Sequence, residues 1–121
     1  MQRHYHGRYY AKGQNLRHTL RAVYDSVFKD YDLIALPTVT TLAPLLPDPD
    51  NFSVAQYEHD AHDSLLNPSA FNATGHPASN MPCGMIGDLP VGLSLVARHF
   101  DEESIIRATA AFSESIDWTK I

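Results

Sequence analysis

The chain has 121 residues and a formal net charge of −5, with 44% apolar residues. That length fits one ordinary domain, and the apolar fraction excludes a disordered chain. No apolar run approaches the ~18 residues that a membrane-spanning helix needs, and the lone Cys83 excludes an internal disulfide framework and favours a reducing, cytoplasmic setting.

The polar and aromatic start, MQRHYHGRYY, is expected to be neither a signal peptide nor an anchor. Arg3, Arg8, Lys12, Arg17 and Arg21 fall in residues 1–24, which contain no acid. Such a basic start can dock on nucleic acid. The acidic balance of the whole favours a solvated helix face instead, so no nucleic-acid partner is expected.

Residues 8–30 read as an amphipathic helix. Leu16, Leu20, Val23 and Val27 are spaced 4, 3 and 4 apart and form one stripe. Residues 32–37, DLIALP, form a short apolar run closed by proline, which predicts a buried strand. The proline-rich residues 38–52 are loop. Residues 53–66 predict a helix with Ser53 as its N-cap, broken at Asn67-Pro68, with a further helical turn over 69–74. Residues 77–85 and 91–97 predict two strands joined at Gly87-Asp88 as an antiparallel hairpin. Asp101-Glu-Glu then opens a helix whose apolar face is Ile105, Ala108, Phe112 and Ile116. The order implies an α/β fold with a small mixed sheet of about three strands packed by helices. Three strands leave two sheet edges to protect.

The stretch NATGHPASNMPCGMIGDLPVGLSLV holds four of the six glycines. With the helix that follows, it resembles the C-terminal part of the amidase signature family, nearest in look to the bacterial acetamidase-like amidases. Asn72, Gly75, Pro77, Ala78, Pro82 and Gly84 match that family's pattern. So do Leu89, Pro90, Val91, Gly92, Leu93, Leu95 and Val96. Upstream, Asp32, Pro37 and Thr38 match the family's strand and loop. Asn80 stands where the family usually has serine or threonine, and an amide in a strand needs hydrogen-bond partners there.

The resemblance implies an α/β layer fold, a small amide substrate and hydrolysis of carboxamide C–N bonds without a cofactor. It also implies an incomplete site. The family's lysine base, two serines and oxyanion-binding glycine/serine loop lie in an N-terminal half that nothing here resembles, so no catalytic residue is carried over. Residues 1–121 are therefore expected to be a single domain, with the nucleophile coming from a complementing chain or from self-association into a homo-oligomer. A non-catalytic binding or assembly module that keeps the fold is the alternative.

A self-sufficient enzyme needs other residues. Ser26 and Lys29, spaced S-x-x-K, put a hydroxyl and an amine on one helix face. Cys83 with His76 is a candidate nucleophile–base pair, although a lone cysteine is commonly a small buried apolar group. His59 and His62 share a helix face with neighbouring carboxylates, and His4 with His6 makes a second pair. Two ligands make a weak site, so no metal is assigned. Asn72 and His76 flank Gly75 ahead of a strand and are candidates for a substrate-pocket wall.

Overall fold

The computed structural model describes residues 7–121. Its elements are α1 (Arg8–Val27), β1 (Leu33–Pro37), α2 (Val54–Asp63), α3 (Leu66–Thr74), β2 (Ala78–Ile86), β3 (Leu89–Ala97), α4 (Glu102–Ser115) and a closing 3-10 turn, Trp118–Lys120. The strands form one sheet in the order β1-β3-β2.

The hairpin forms as the turn chemistry requires. Gly87 has φ 61°, a left-handed conformation that glycine adopts without steric cost. The register pairs Ile86 with Leu89 and Ala78 with Val96, and shifts once between Pro82 and Gly84. β1 lies on the other side of β3, antiparallel, with Leu33 opposite Ala97. The α/β class stands, but the sheet is antiparallel throughout rather than mixed. The β1–β2 connection contains two helices and passes over the sheet, so β2 joins the far side of β3 and not β1.

Side chains alternate across β3. Leu95 and Ala97 face α4 in a core with Met81 and Ile105, flanked by Leu33, Leu93, Ala108 and Phe112. Val96, fully buried, points the other way, against Phe28 and Phe71, with Tyr24, Ile34 and Leu36 around them. Of the apolar face expected on α4, Ile105, Ala108 and Phe112 are therefore seated, whereas Ile116 lies past the helix end as an extended C-cap. The stripe expected on α1 is not seated: Leu16 and Val23 are 58% and 55% exposed, and α1 contributes no buried residue. α1 reaches the second core through Tyr24 and the adjoining Phe28.

Ser53 does cap α2, accepting a hydrogen bond from the Gln56 N–H at 3.3 Å. The break at Asn67-Pro68 moves upstream. α2 stops at Asp63, and Pro68 lies inside the first turn of α3, where its missing N–H would have had no helical partner. Asn67 Nδ2 then donates to the Pro37 carbonyl at 2.7 Å and ties α3 to the end of β1.

Asn80 finds the partner that a strand amide requires. Ser94 Oγ donates to Thr38 Oγ1 at 3.0 Å, and Thr38 Oγ1 donates to Asn80 Oδ1 at 2.5 Å. This relay joins β2 and β3 to the residue just past β1, over Gly92, where a Cβ would lie 2.5 Å from Asn80 Oδ1 and 2.9 Å from Thr38 Oγ1. Gly92→Ala is expected to destabilise the chain by about 1–3 kcal/mol. Asn80→Ser should relieve part of that cost, so that the double variant loses less than the sum of the singles in denaturant unfolding. Strict additivity would show that Gly92 and Asn80 do not compete for this space.

Candidate functional site

α1 presents Arg21 and Asp25 one turn apart, on the same face. α3 ends at Thr74, and Gly75 follows with φ 78°, a C-cap that turns the chain sharply and delivers His76 beneath α1. β3 runs out into His99. The following residue, Phe100, has φ 64° and is 94% exposed. That left-handed backbone is costly for a bulky residue and is held by the turn into α4, where Asp101 N–H donates to the Arg98 carbonyl at 3.2 Å.

These segments meet in one polar cluster. The His76 side chain has no solvent exposure and is enclosed by Tyr24 and Phe28, with ring centroids 5.7 and 5.3 Å away. The His99 ring lies 4.1 Å from it. His76 Nε2 is 3.2 Å from Asp25 Oδ1, and Nδ1 is 2.8 Å from Thr74 Oγ1. His99 Nδ1 is 3.5 Å from the same Asp25 oxygen, and Arg21 Nε donates to His99 Nε2 at 3.1 Å. An arginine N–H can only donate, so His99 Nε2 accepts and its proton sits on Nδ1, facing Asp25. Asp25 thus hydrogen-bonds to His76, while His99 Nδ1 approaches the same oxygen only as a charge contact at 3.5 Å.

Burial holds the His76 pKa below its ordinary value of 6.5. The hydrogen bond and charge of Asp25 oppose the shift, while the charges of His99 and Arg21 add to it. His76 thus sets Nε2 against the Asp25 carboxylate and Nδ1 against Thr74 Oγ1, whose hydroxyl donates to the Ala70 carbonyl at 3.0 Å.

Beside this cluster lies a cavity of about 380 Å³ between the sheet and α3, lined by Thr38, Asn72, Asn80 and Ser94 among others and bordered by His76, whose side chain is itself buried. Asn72 and His76 both border this space. Its polar floor is the Ser94–Thr38–Asn80 relay, and its apolar side includes Leu36 and Phe71.

The other candidates stay apart. Ser26 Oγ donates to the Val23 carbonyl at 2.6 Å, and Lys29 lies beyond the end of α1. No hydrogen bond joins the two side chains among the described residues. Cys83 is half-buried at the β2 register shift and borders a different, largely apolar cavity of about 750 Å³ under residues 38–44. His59 Nε2 pairs with Asp63 at 3.5 Å, whereas His62 Nδ1 lies 2.7 Å from the Glu58 carbonyl. The pair His4 and His6 lies outside the described residues. Sequence reasoning missed Asp25 and His99 and treated Arg21 only as surface charge. The one local hint was the i, i+4 spacing of Arg21 and Asp25.

A family model described as Amidase matches residues 1–106. The chain belongs to the amidase signature family. It is 36% identical over 121 residues to a glutamyl-tRNA(Gln) amidotransferase subunit from Geobacillus sp. (strain WCH70), an alignment covering 96% of this chain and 23% of that protein. The crystal structure of the corresponding glutamyl-tRNA(Gln) amidotransferase subunit from Thermotoga maritima superposes with a TM-score of 0.63 and 25% identity, over 80% of this chain and 20% of that one. A bacterial aryl acylamidase of the amidase signature family shares the fold, with a TM-score of 0.66 at 24% identity, over 88% of this chain and 23% of that one. The chain thus spans about a quarter of the length of these amidotransferase subunits and about half of a shorter relative from Rhodococcus erythropolis. Among the described residues, no helix is long and apolar enough to cross a membrane.

The direction of the His76 shift has a consequence for stability. Below pH ~6.5 the unfolded chain takes up a proton at this residue that the folded chain resists. The contribution is fully present above that pH, falls as the pH drops through it, and levels off below the folded-state value. Denaturant midpoints at pH 8 and pH 5.5 should therefore differ less for His76→Gln, which cannot titrate, than for the unsubstituted chain. An equal pH dependence in both would place the acid sensitivity elsewhere.

Proposed function

We propose that the chain is the C-terminal portion of an amidase-type hydrolase that cleaves carboxamide C–N bonds once a complementing polypeptide supplies the nucleophile and its base. The Asn72–His76 cavity would form one wall of the substrate cleft, with the Asn72 amide offering a donor and an acceptor to a small amide. A hydroxyl needs a base to become a useful nucleophile and placed donors to hold the oxyanion. Among the described residues, no hydroxyl is hydrogen-bonded to a lysine amine.

The observation that carries this reading is the surface. The accessible area is 9274 Å², whereas a compact 13.5 kDa monomer exposes about 6,500 Å². Large apolar side chains contribute to that surface: Leu45, Leu46 and Phe100 are each more than 90% exposed, and Leu16 and Val23 stand free of the core along α1. A larger amidase body would cover such surface. Self-association into a homo-oligomer would cover it as well, through the outer side of β1 or through α1. A reducing, cytoplasmic setting fits the single cysteine.

The test is complementation. The purified chain is assayed on a panel of chromogenic amides and small esters, alone and mixed with the N-terminal portion of a related amidase, with size measured by light scattering. The mixture is expected to form a complex and hydrolyse amides, and the chain alone is expected to be inactive. Activity of the chain alone that Ser26→Ala or Cys83→Ala abolishes would replace this reading with a self-contained site. A homo-oligomer inactive with every complement would favour an assembly module.

A further inference from the structure

Three metal-ligating atoms from three separated segments converge beneath α1. His76 Nε2 and His99 Nδ1 lie 3.2 and 3.5 Å from Asp25 Oδ1, and all three atoms lie within 4.8 Å of one another. Nitrogen or oxygen ligands held 2.0–2.1 Å from a tetrahedral zinc ion are about 3.3–3.4 Å apart. Both measured edges match that spacing. We infer that Asp25, His76 and His99 form a binding site for a divalent transition cation of the Zn²⁺ type, with its fourth position open to water.

The surroundings suit the ligands. A metal-bound imidazole carries its proton on the other ring nitrogen and needs an acceptor there. For His76 that acceptor is Thr74 Oγ1, 2.8 Å from Nδ1, whose own hydroxyl proton can pass to the Ala70 carbonyl at 3.0 Å. For His99 it is the Thr74 carbonyl, 3.2 Å from Nε2. One residue therefore supplies both orienting oxygens. Two imidazoles and one carboxylate favour zinc, copper or nickel over magnesium or calcium. The half-exposed Asp25 side chain gives the ion a route in from solvent, while His76 is sealed from it.

Arg21 is the competitor. Without an ion, it donates to His99 Nε2. With the metal on Nδ1, that nitrogen carries a hydrogen and turns to the Thr74 carbonyl, so the guanidinium must leave. With the metal bound, the remaining ring proton sits on Nδ1 of His76 and on Nε2 of His99.

The experiment titrates the full chain with Zn²⁺ and with Co²⁺ as an optical probe, and needs no amide hydrolysis. One equivalent should bind, with the intense visible bands of four-coordinate cobalt. Asp25→Ala and His99→Ala should each weaken binding at least about tenfold, since losing even an orienting partner costs 10–100-fold. Arg21→Gln should strengthen it. The pairs His59→Ala/His62→Ala and His4→Ala/His6→Ala should leave it unchanged. Absence of one-equivalent binding, or binding that follows either control pair, overturns the site. Should Asp25→Ala and His99→Ala both lose their folded circular dichroism, the unsubstituted chain and Arg21→Gln decide. A six-coordinate cobalt spectrum with no gain on removing Arg21 rejects the inference.

Discussion

Strand β3 organises the molecule because, among the described residues, it is the only strand with a hydrogen-bonded neighbour on each side and a helix layer over each face. Its last four residues, Ser94 to Ala97, are all buried, and the inward-facing apolar members divide between two cores. Leu95 and Ala97 anchor α4, whereas Val96 anchors α3 and the C-terminal end of α1. A strand buried on both faces must be nearly all apolar. Ser94 is the exception, and its hydroxyl is spent on Thr38. That exception places a polar relay against the cavity while the same strand carries the core.

The local features of the fold were legible in the sequence because each has a short-range cause. Gly87-Asp88 between apolar runs specifies a hairpin, Ser53 satisfies an otherwise orphaned helical N–H, and the acids at 102 and 103 sit where the helix dipole favours them. What was not legible depends on distance along the chain. Periodicity identifies an apolar stripe on α1 but cannot say what will cover it, so Leu16 and Val23 were expected inside and stand outside. Strand direction was likewise hidden, since the sense of β1 against β3 depends on a connection with two helices in it.

The polar cluster escaped sequence reading for the same reason. Asp25 and His76 are 51 residues apart, and Arg21 and His99 are 78 apart. No spacing motif spans such gaps. The histidines that share a local pattern, His59 and His62, drew notice, yet each satisfies itself within its own helix. The chain reversal between Asn72 and His76 was accessible to reasoning, because Gly75 supplies the left-handed conformation it needs.

The cluster and the open surface belong to one problem, which is how α1 is held. The helix puts no fully buried residue into a core, so apolar packing through Tyr24 and Phe28 fixes only its C-terminal end. Asp25 reinforces that end by holding His76, and Arg21, just under one turn before Tyr24, extends the attachment by gripping His99. Polar contacts of this kind contribute little when solvated and more when one partner is sealed from water. His76 supplies that sealed partner, boxed by Tyr24, Phe28 and His99. An ion at the same three atoms would tighten the same joint, because it replaces hydrogen bonds with coordination along directions already set. Towards its N-terminus the helix runs on with Leu16 exposed. That half is the part of α1 most open to a second polypeptide surface.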